Sequence, residues 1–269
     1  MREAIQARDP TLLREAGPAP RAALTRVHPG RYLDLLEGIA TSGGGALDHD
    51  TIMSRESFEA AVCGAGAAVE AVRHALDSGS NTFVAIRPPG HHALHQTAMG
   101  FCLLANAVIA AREAQAMGCG RVLIVDWDVH HGNGTQALVE RDPSLRFVSL
   151  HQWPLYPGTG AASERGVGNV FNVPRPPGLP PEQYVRDLWA AIGTAVTGWA
   201  PDLIVISAGY DSMLGDPLGG FTLEPEHYAK WVGLLRSTCP EAPIVALMEG
   251  GYDPDRLAAG VLATVAALI

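Results

Sequence analysis

Asp128 and His130 stand two residues apart in the segment Asp126-Trp127-Asp128-Val129-His130-His131-Gly132-Asn133-Gly134. In an extended segment, residues i and i+2 project to the same side. A carboxylate and an imidazole placed in this way can share one cation. Asp211, in Ala208-Gly209-Tyr210-Asp211-Ser212, can supply a third ligand. Two carboxylates, one imidazole and an open position make a catalytic transition-metal arrangement, and zinc suits that donor set. An isolated Asp-x-His reads better as a surface ion pair. The adjoining Asp126, His131 and Gly-Asn-Gly turn favour the metal.

His91 and His92 follow Pro88-Pro89-Gly90. Proline and glycine fix the backbone there and present two adjacent rings. A histidine beside a metal-acidified water can take its proton. Tyr252, after Gly250-Gly251, can donate its phenol O–H to an oxyanion, although a core role for it is equally consistent with that sequence.

The elements that must position these residues alternate along the chain. The pattern predicts helices over 2–16 and 30–39, then one over 58–76 that follows Ser54–Ser57, with Ser54 as N-cap and Ser57 three residues on. Strands follow at 82–86, 121–126, 146–150, 169–173, 202–207 and 243–248. Helices are expected over 101–117, 134–140, 181–198, 225–237 and 254–269. Continuous apolar strands alternating with helices indicate an α/β domain with an open parallel sheet covered on both faces. Ligands in such sheets bind beyond the carboxyl ends of the strands. The runs at 87–92, 126–134, 208–212 and 249–253, with His151, all follow directly from strands. The Pro-rich stretch 173–181 reads as a loop, and the whole of 1–269 as a single domain.

Composition excludes several classes. The 269 residues are 47% hydrophobic and 17% charged, which excludes a disordered chain. A formal net charge of −9 argues against nucleic-acid binding and is compatible with a cationic substrate. Lys230 is the sole lysine, and nothing around it suggests Schiff-base chemistry. Cys63, Cys102, Cys119 and Cys239 show no Cys-x-x-Cys spacing, which is consistent with reduced thiols. The polar N-terminus lacks a secretory pattern and the apolar runs are too short to span a bilayer, so a cytoplasmic protein without membrane contact is expected.

Arg87-Pro88-Pro89-Gly90-His91-His92-Ala93, Gly100-Phe101-Cys102, the Asp126–Gln136 run, Tyr156-Pro157-Gly158-Thr159-Gly160, Ala208–Ser212, Gly215-Asp216-Pro217-Leu218 and Glu249-Gly250-Gly251-Tyr252 together resemble the histone deacetylase superfamily over about residues 80–255. Asn133-Gly134 and Glu249–Tyr252 are similar to the class II branch, which includes bacterial deacetylase-like and acetylpolyamine amidohydrolases. The resemblance implies zinc on Asp128, His130 and Asp211, with His92 as general base and His91 as its electrostatic partner. Asp126 would orient His91, and Asn133 would orient His92. Tyr252 would donate to the substrate carbonyl. Phe101 and Tyr156 would flank an acyl-lysine channel lined by Gly100, with Leu218 at its rim. It also implies potassium held by Asp126, Asp128, His130, Ser149 and Leu150, and a second potassium around Val139, Asp142 and Leu145. The implied reaction is hydrolysis of the N-acyl amide of an acylated lysine or small acylated amine.

Two departures modify this expectation. The family's N-terminal strand and HisProGlu-type loop have no counterpart before residue 20, which implies an open mouth, a wall from another subunit in a homo-oligomer, or a shortened chain. Leu218 is apolar where polyamine-selective members carry an acidic gatekeeper, which leans the substrate towards acyl-lysine. The alternatives are an acetylpolyamine hydrolase, a non-catalytic ligand-binding homologue, and an arginase-like dimanganese hydrolase that would need further ligands.

Overall fold

A computed structural model describes residues 13–269. It contains a six-stranded, entirely parallel sheet in the order β3-β8-β7-β4-β5-β6. Its strands are β3 (Thr82–Val84), β4 (Val122–Asp126), β5 (Leu145–Gln152), β6 (Val170–Arg175), β7 (Leu203–Ala208) and β8 (Ile244–Met248). A separate antiparallel pair, β1 (Gly44–Ala46) and β2 (Ile52–Ser54), was not expected from the sequence. Helices are α1 (Arg21–Leu24), α2 (Gly30–Thr41), α3 (Ser57–Ser78), α4 (Asn106–Ala116), α5 (Asn133–Val139), α6 (Pro181–Val196), α7 (Pro225–Thr238) and α8 (Pro254–Leu268).

The central strands read as unbroken apolar runs, yet they alternate between two cores. Val122 and Ile124, Leu203 and Val205, and Val245 and Leu247 pack with α2–α4. Leu123 and Val125, Ile204 and Ile206, and Ile244 and Ala246 pack on the other face with α6–α8. Both faces are dry because helices cover both, which is why no polar alternation marks these strands in the sequence.

The expected helix over 2–16 falls mainly on residues 1–12, outside the described residues, and 13–16 are not helical. The helix expected from 101 begins at Asn106. Residues 98–104 instead form a tight loop in which Gly100 and Phe101 both have positive φ. Ser54 lies in β2 rather than capping α3, and its N–H donates to Ser57 Oγ. Helix α8 is capped by a residue the sequence reading did not name: the Asp253 carboxylate accepts from the N–H groups of Asp255 and Arg256. That cap fixes the chain immediately after Tyr252.

Candidate metal centre and active site

Parallel strands deliver their carboxyl ends to one edge. Asp126, the last residue of β4, pairs in register with Ser149 of β5 and Ser207 of β7. The chain then leaves the sheet, carrying Asp128 and His130 towards Asp211, three residues beyond β7. His130 Nδ1 lies 3.1 Å from Asp128 Oδ1 and 3.1 Å from Asp211 Oδ2. Candidate ligand atoms of the three residues all lie within 4.8 Å of one another.

Backbone N–H groups aim these carboxylates. His130 and Gly250 donate to the two oxygens of Asp128, each at 2.9 Å, and Val129 donates to Asp211 Oδ1 at 2.9 Å. Gly250 is required by space, because a Cβ there would stand 2.2 Å from Asp211 Oδ2 and 2.7 Å from Asp128 Oδ2. Burial and the charge of Asp128 push the Asp211 carboxyl up to about 7. Burial opposes the charged form of Asp128 as well, but His91 and His130 hold its carboxyl well below the usual range. Burial disfavours the His130 cation, yet the two carboxylates outweigh it and raise the imidazole to about 10. The cluster therefore demands positive charge, which a divalent cation supplies without leaving either carboxylate uncompensated. Two carboxylates and one imidazole fit zinc.

The rings of His91 and His92 stand 4.0 Å apart, and that of His92 is 6.0 Å from His130. His91 Nδ1 lies 3.0 Å from Asp126 Oδ2. Burial opposes the His91 cation, but Asp128 and Asp126 raise it well above its ordinary value. His92 Nδ1 lies 2.7 Å from Asn133 Oδ1, and Asn133 Nδ2 faces Met99 Sδ. The amide oxygen can only accept, so His92 carries its proton on Nδ1 and leaves Nε2 able to take one. Burial and the neighbouring His91 charge keep His92 neutral, well below its ordinary value.

Aromatic rings flank this group. Tyr156 meets His92 edge-on at 5.1 Å, and Phe101 meets Tyr252 at 6.1 Å. The Tyr252 phenol is pushed up by burial and by Asp211 and Asp128, so it is a neutral donor. A Cβ on Gly100 would lie 2.4 Å from His92 Cδ2, so this loop passes against the imidazole only as glycine. Phe101 holds φ of 66°, and its N–H donates to Thr51 Oγ1 at 3.1 Å. Leu218 is exposed, and its N–H donates to Asp216.

The residues expected to bind zinc or act in catalysis therefore gather at one strand edge, whereas Val139, Asp142 and Leu145 lie in the turn that leads into the start of β5. Part of the mouth is supplied by a segment that the sequence did not point to. Asp50, Thr51 and Ile52 line a cavity of about 370 Å³ with Arg87, Phe101 and Leu103. Asp48, His49 and Asp50 form a second, more exposed acidic group, in which Asp48 accepts from the N–H groups of Asp50 and Thr51. Glu249 was also missed. Its carboxylate accepts from the N–H groups of Gly90 and His91 and from the Ser207 hydroxyl, tying the two-histidine turn to β7 and β8. Asp216 likewise accepts from the N–H groups of Tyr252 and Leu218. Both acids stood inside motifs already singled out, but nothing in a spacing says that a carboxylate holds a backbone. Lys230 lies on the surface, paired with Glu182.

The histone deacetylase domain, as a family, matches residues 1–268. The chain belongs to the histone deacetylase family. It is 44% identical over 248 residues to an uncharacterized Synechocystis protein, covering 91% of this chain and 81% of that one. It is 38% identical over 251 residues to a probable deacetylase of Methanothermobacter thermautotrophicus, covering 90% and 75%. A histone deacetylase-like amidohydrolase of Pseudomonas aeruginosa is 36% identical over 251 residues, with 90% and 66% covered. The crystal structure of the HDA15 HD domain superposes with a TM-score of 0.91 at 35% identity, covering 95% of this chain and 74% of that one. The six-stranded parallel sheet is thus the histone deacetylase fold. No helix among the described residues is long and apolar enough to cross a membrane.

Proposed function

We propose that this histone deacetylase family member is a zinc-dependent amidohydrolase that removes an acetyl-type acyl group from an acylated lysine or a related amine. The observation that carries this reading is the buried Asp128, His130 and Asp211 cluster beside two adjacent, mutually tilted histidines, His91 on a carboxylate and His92 on an amide. The chain acts as one catalytic domain. Asp128, His130 and Asp211 would hold the zinc, which when bound would supply a Lewis acid and lower the pKa of a water to about 7.

The protein's own groups do the rest. Phe101 and Tyr156 hold the aliphatic stem of the acylated amine, with the Gly100 backbone alongside. His92 Nε2 takes the proton of the attacking water. Tyr252 donates its O–H to the carbonyl oxygen as negative charge develops there. His91, kept charged between Asp126 and Asp128, sets the local field, and a histidine of the pair returns a proton to the leaving amine. The amide is cleaved, and a carboxylate and an amine leave.

A structural potassium belongs beside this centre, on Asp126, Asp128, His130, Ser149 and Leu150. Gly160 O lies 3.0 Å from His151 Nε2 and can only accept, so Nε2 carries the proton. His151 Nδ1 then accepts from the Ser149 hydroxyl at 2.9 Å, and the lone pairs of Ser149 Oγ remain available to a cation.

The acidic Asp48 and Asp50 at the mouth favour a second reading, hydrolysis of acetylpolyamines, while the apolar Leu218 favours acyl-lysine. Turnover of acetyl-lysine peptides against acetylspermidine, by zinc-loaded and chelator-treated protein, tests both. The expected result is amine and acetate release that chelation stops and zinc restores, with the larger kcat/KM for the lysine peptide. Absence of release from every acylated amine by zinc-loaded protein overturns the enzyme reading in favour of a non-catalytic ligand binder.

A further inference from the structure

The carbonyl oxygens of Val139, Asp142 and Leu145, in the turn from α5 into β5, converge on one point. Their convergence has the form of a cation cradle, and the family resemblance places a second potassium there. The point is already filled. Asn169 Nδ2 lies 2.9 Å from all three oxygens. This is ordinary N–H···O hydrogen-bond distance, and it leaves no room for an ion between the oxygens.

The bonding supports a deliberate fit. Val139 O also accepts from the Asp142 N–H, and Asp142 O from the Leu145 N–H, so each keeps one lone pair for the amide. The amide has two protons for three acceptors, so one proton is shared. Asn169 is buried, and its own backbone carbonyl accepts from the Phe147 N–H in β5. Asn169 Oδ1 has no partner among the described residues. Reversing the amide would turn that oxygen onto three carbonyl oxygens, a worse arrangement, so the observed orientation is fixed.

We propose that the Asn169 side-chain amide is a built-in substitute for a cation, and that this protein holds no alkali ion between Val139, Asp142 and Leu145. The second potassium implied by the family does not fit the residues present. The turn that launches β5, and with it Ser149 and His151, is then held by a covalently attached donor whatever the potassium concentration. Any potassium response of the protein arises elsewhere.

Crystals of the wild-type protein grown with thallous ion, a potassium surrogate with a strong anomalous signal, test this directly. The expected map has no anomalous peak among the three carbonyls. A peak there overturns the proposal. In solution, Asn169→Ala empties the cradle. Its Tm is expected to rise on exchanging tetramethylammonium for potassium by roughly 2–4 °C more than the wild-type Tm does. An Asn169→Ala response equal to that of the wild type shows that the cradle takes no cation in either protein and overturns the substitution idea. If this variant does not fold, the thallium map of the wild type decides alone.

Discussion

Two histidine pairs, His91–His92 and His130–His131, leave the sheet edge at different strands, and each is divided the same way. One member of each faces carboxylates: Asp126 for His91, Asp128 and Asp211 for His130. The other faces amides and hydroxyls. Asn133 holds His92, while Gln136 and Thr159 hold His131. The charge state follows the partner. His91 and His130 are raised, whereas burial lowers His92 far below its ordinary value and His131 to about 4. Yet the two neutral rings differ in use. His92 has a free nitrogen facing the aromatic channel, whereas both nitrogens of His131 are bonded within a network that runs on through Gln136 to Glu164 and Asn172. An imidazole becomes a candidate base when its surroundings leave one nitrogen unpaired, and a buried bracket when they do not.

This contrast can be broken in order of effect. Asp211→Asn, which weakens the charge holding His130, is expected to lose bound zinc, measured as metal per chain, and to cut turnover by on the order of 10³-fold or more. Full activity with normal zinc content in that variant would remove Asp211 from the metal centre. His92→Ala is expected to cost about 10²–10³-fold in kcat/KM while zinc stays bound, and Tyr252→Phe a comparable or smaller factor. Zinc loss in either variant would assign the residue to the metal instead.

Asn133→Asp gives His92 the carboxylate that its neighbour His91 already has. A nearby negative charge favours the imidazolium, so the pKa of His92 rises. The base must be neutral to act. The acid limb of the kcat/KM profile should therefore move to higher pH by about 1–2 units, with activity lost first on the acidic side. A limb that stays put, or moves to lower pH, would show that His92 does not set it. The smallest catalytic effect is expected at His131. His131→Leu strands Gln136 and Thr159 without their partner and should lower unfolding stability by about 1–3 kcal/mol in denaturant titration. Turnover of the folded variant should stay within a few-fold, and a loss as deep as that of His92→Ala would erase the distinction between the pairs.

Much of the fold was legible because continuous apolar strands bounded by Gly- and Pro-rich loops admit few arrangements. From α3 onward the order of helices and strands came through, as did the gathering of Asp128, His130, His91 and Tyr252 at one edge, whereas α1 and the β1–β2 pair did not. The loop at 98–104 did not, because helix-forming residues there are overridden by the positive φ at Gly100 and Phe101 that the close pass beside His92 requires. The wall formed by Asp50, Thr51 and Ile52 was also hidden, since its link to Phe101 joins residues 50 apart in sequence.

The sequence by itself determined the donor types, the i, i+2 spacing of the ligands and the strands that carry them, because these depend on local geometry and side-chain chemistry. Only the tertiary structure decided which histidine is charged, which nitrogen is free, how Glu249 and Asp216 brace the loops, and that Asn169 fills a place where an ion was expected. Each of those depends on burial and on partners brought together from distant strands, and neither is written in the spacing of neighbouring residues.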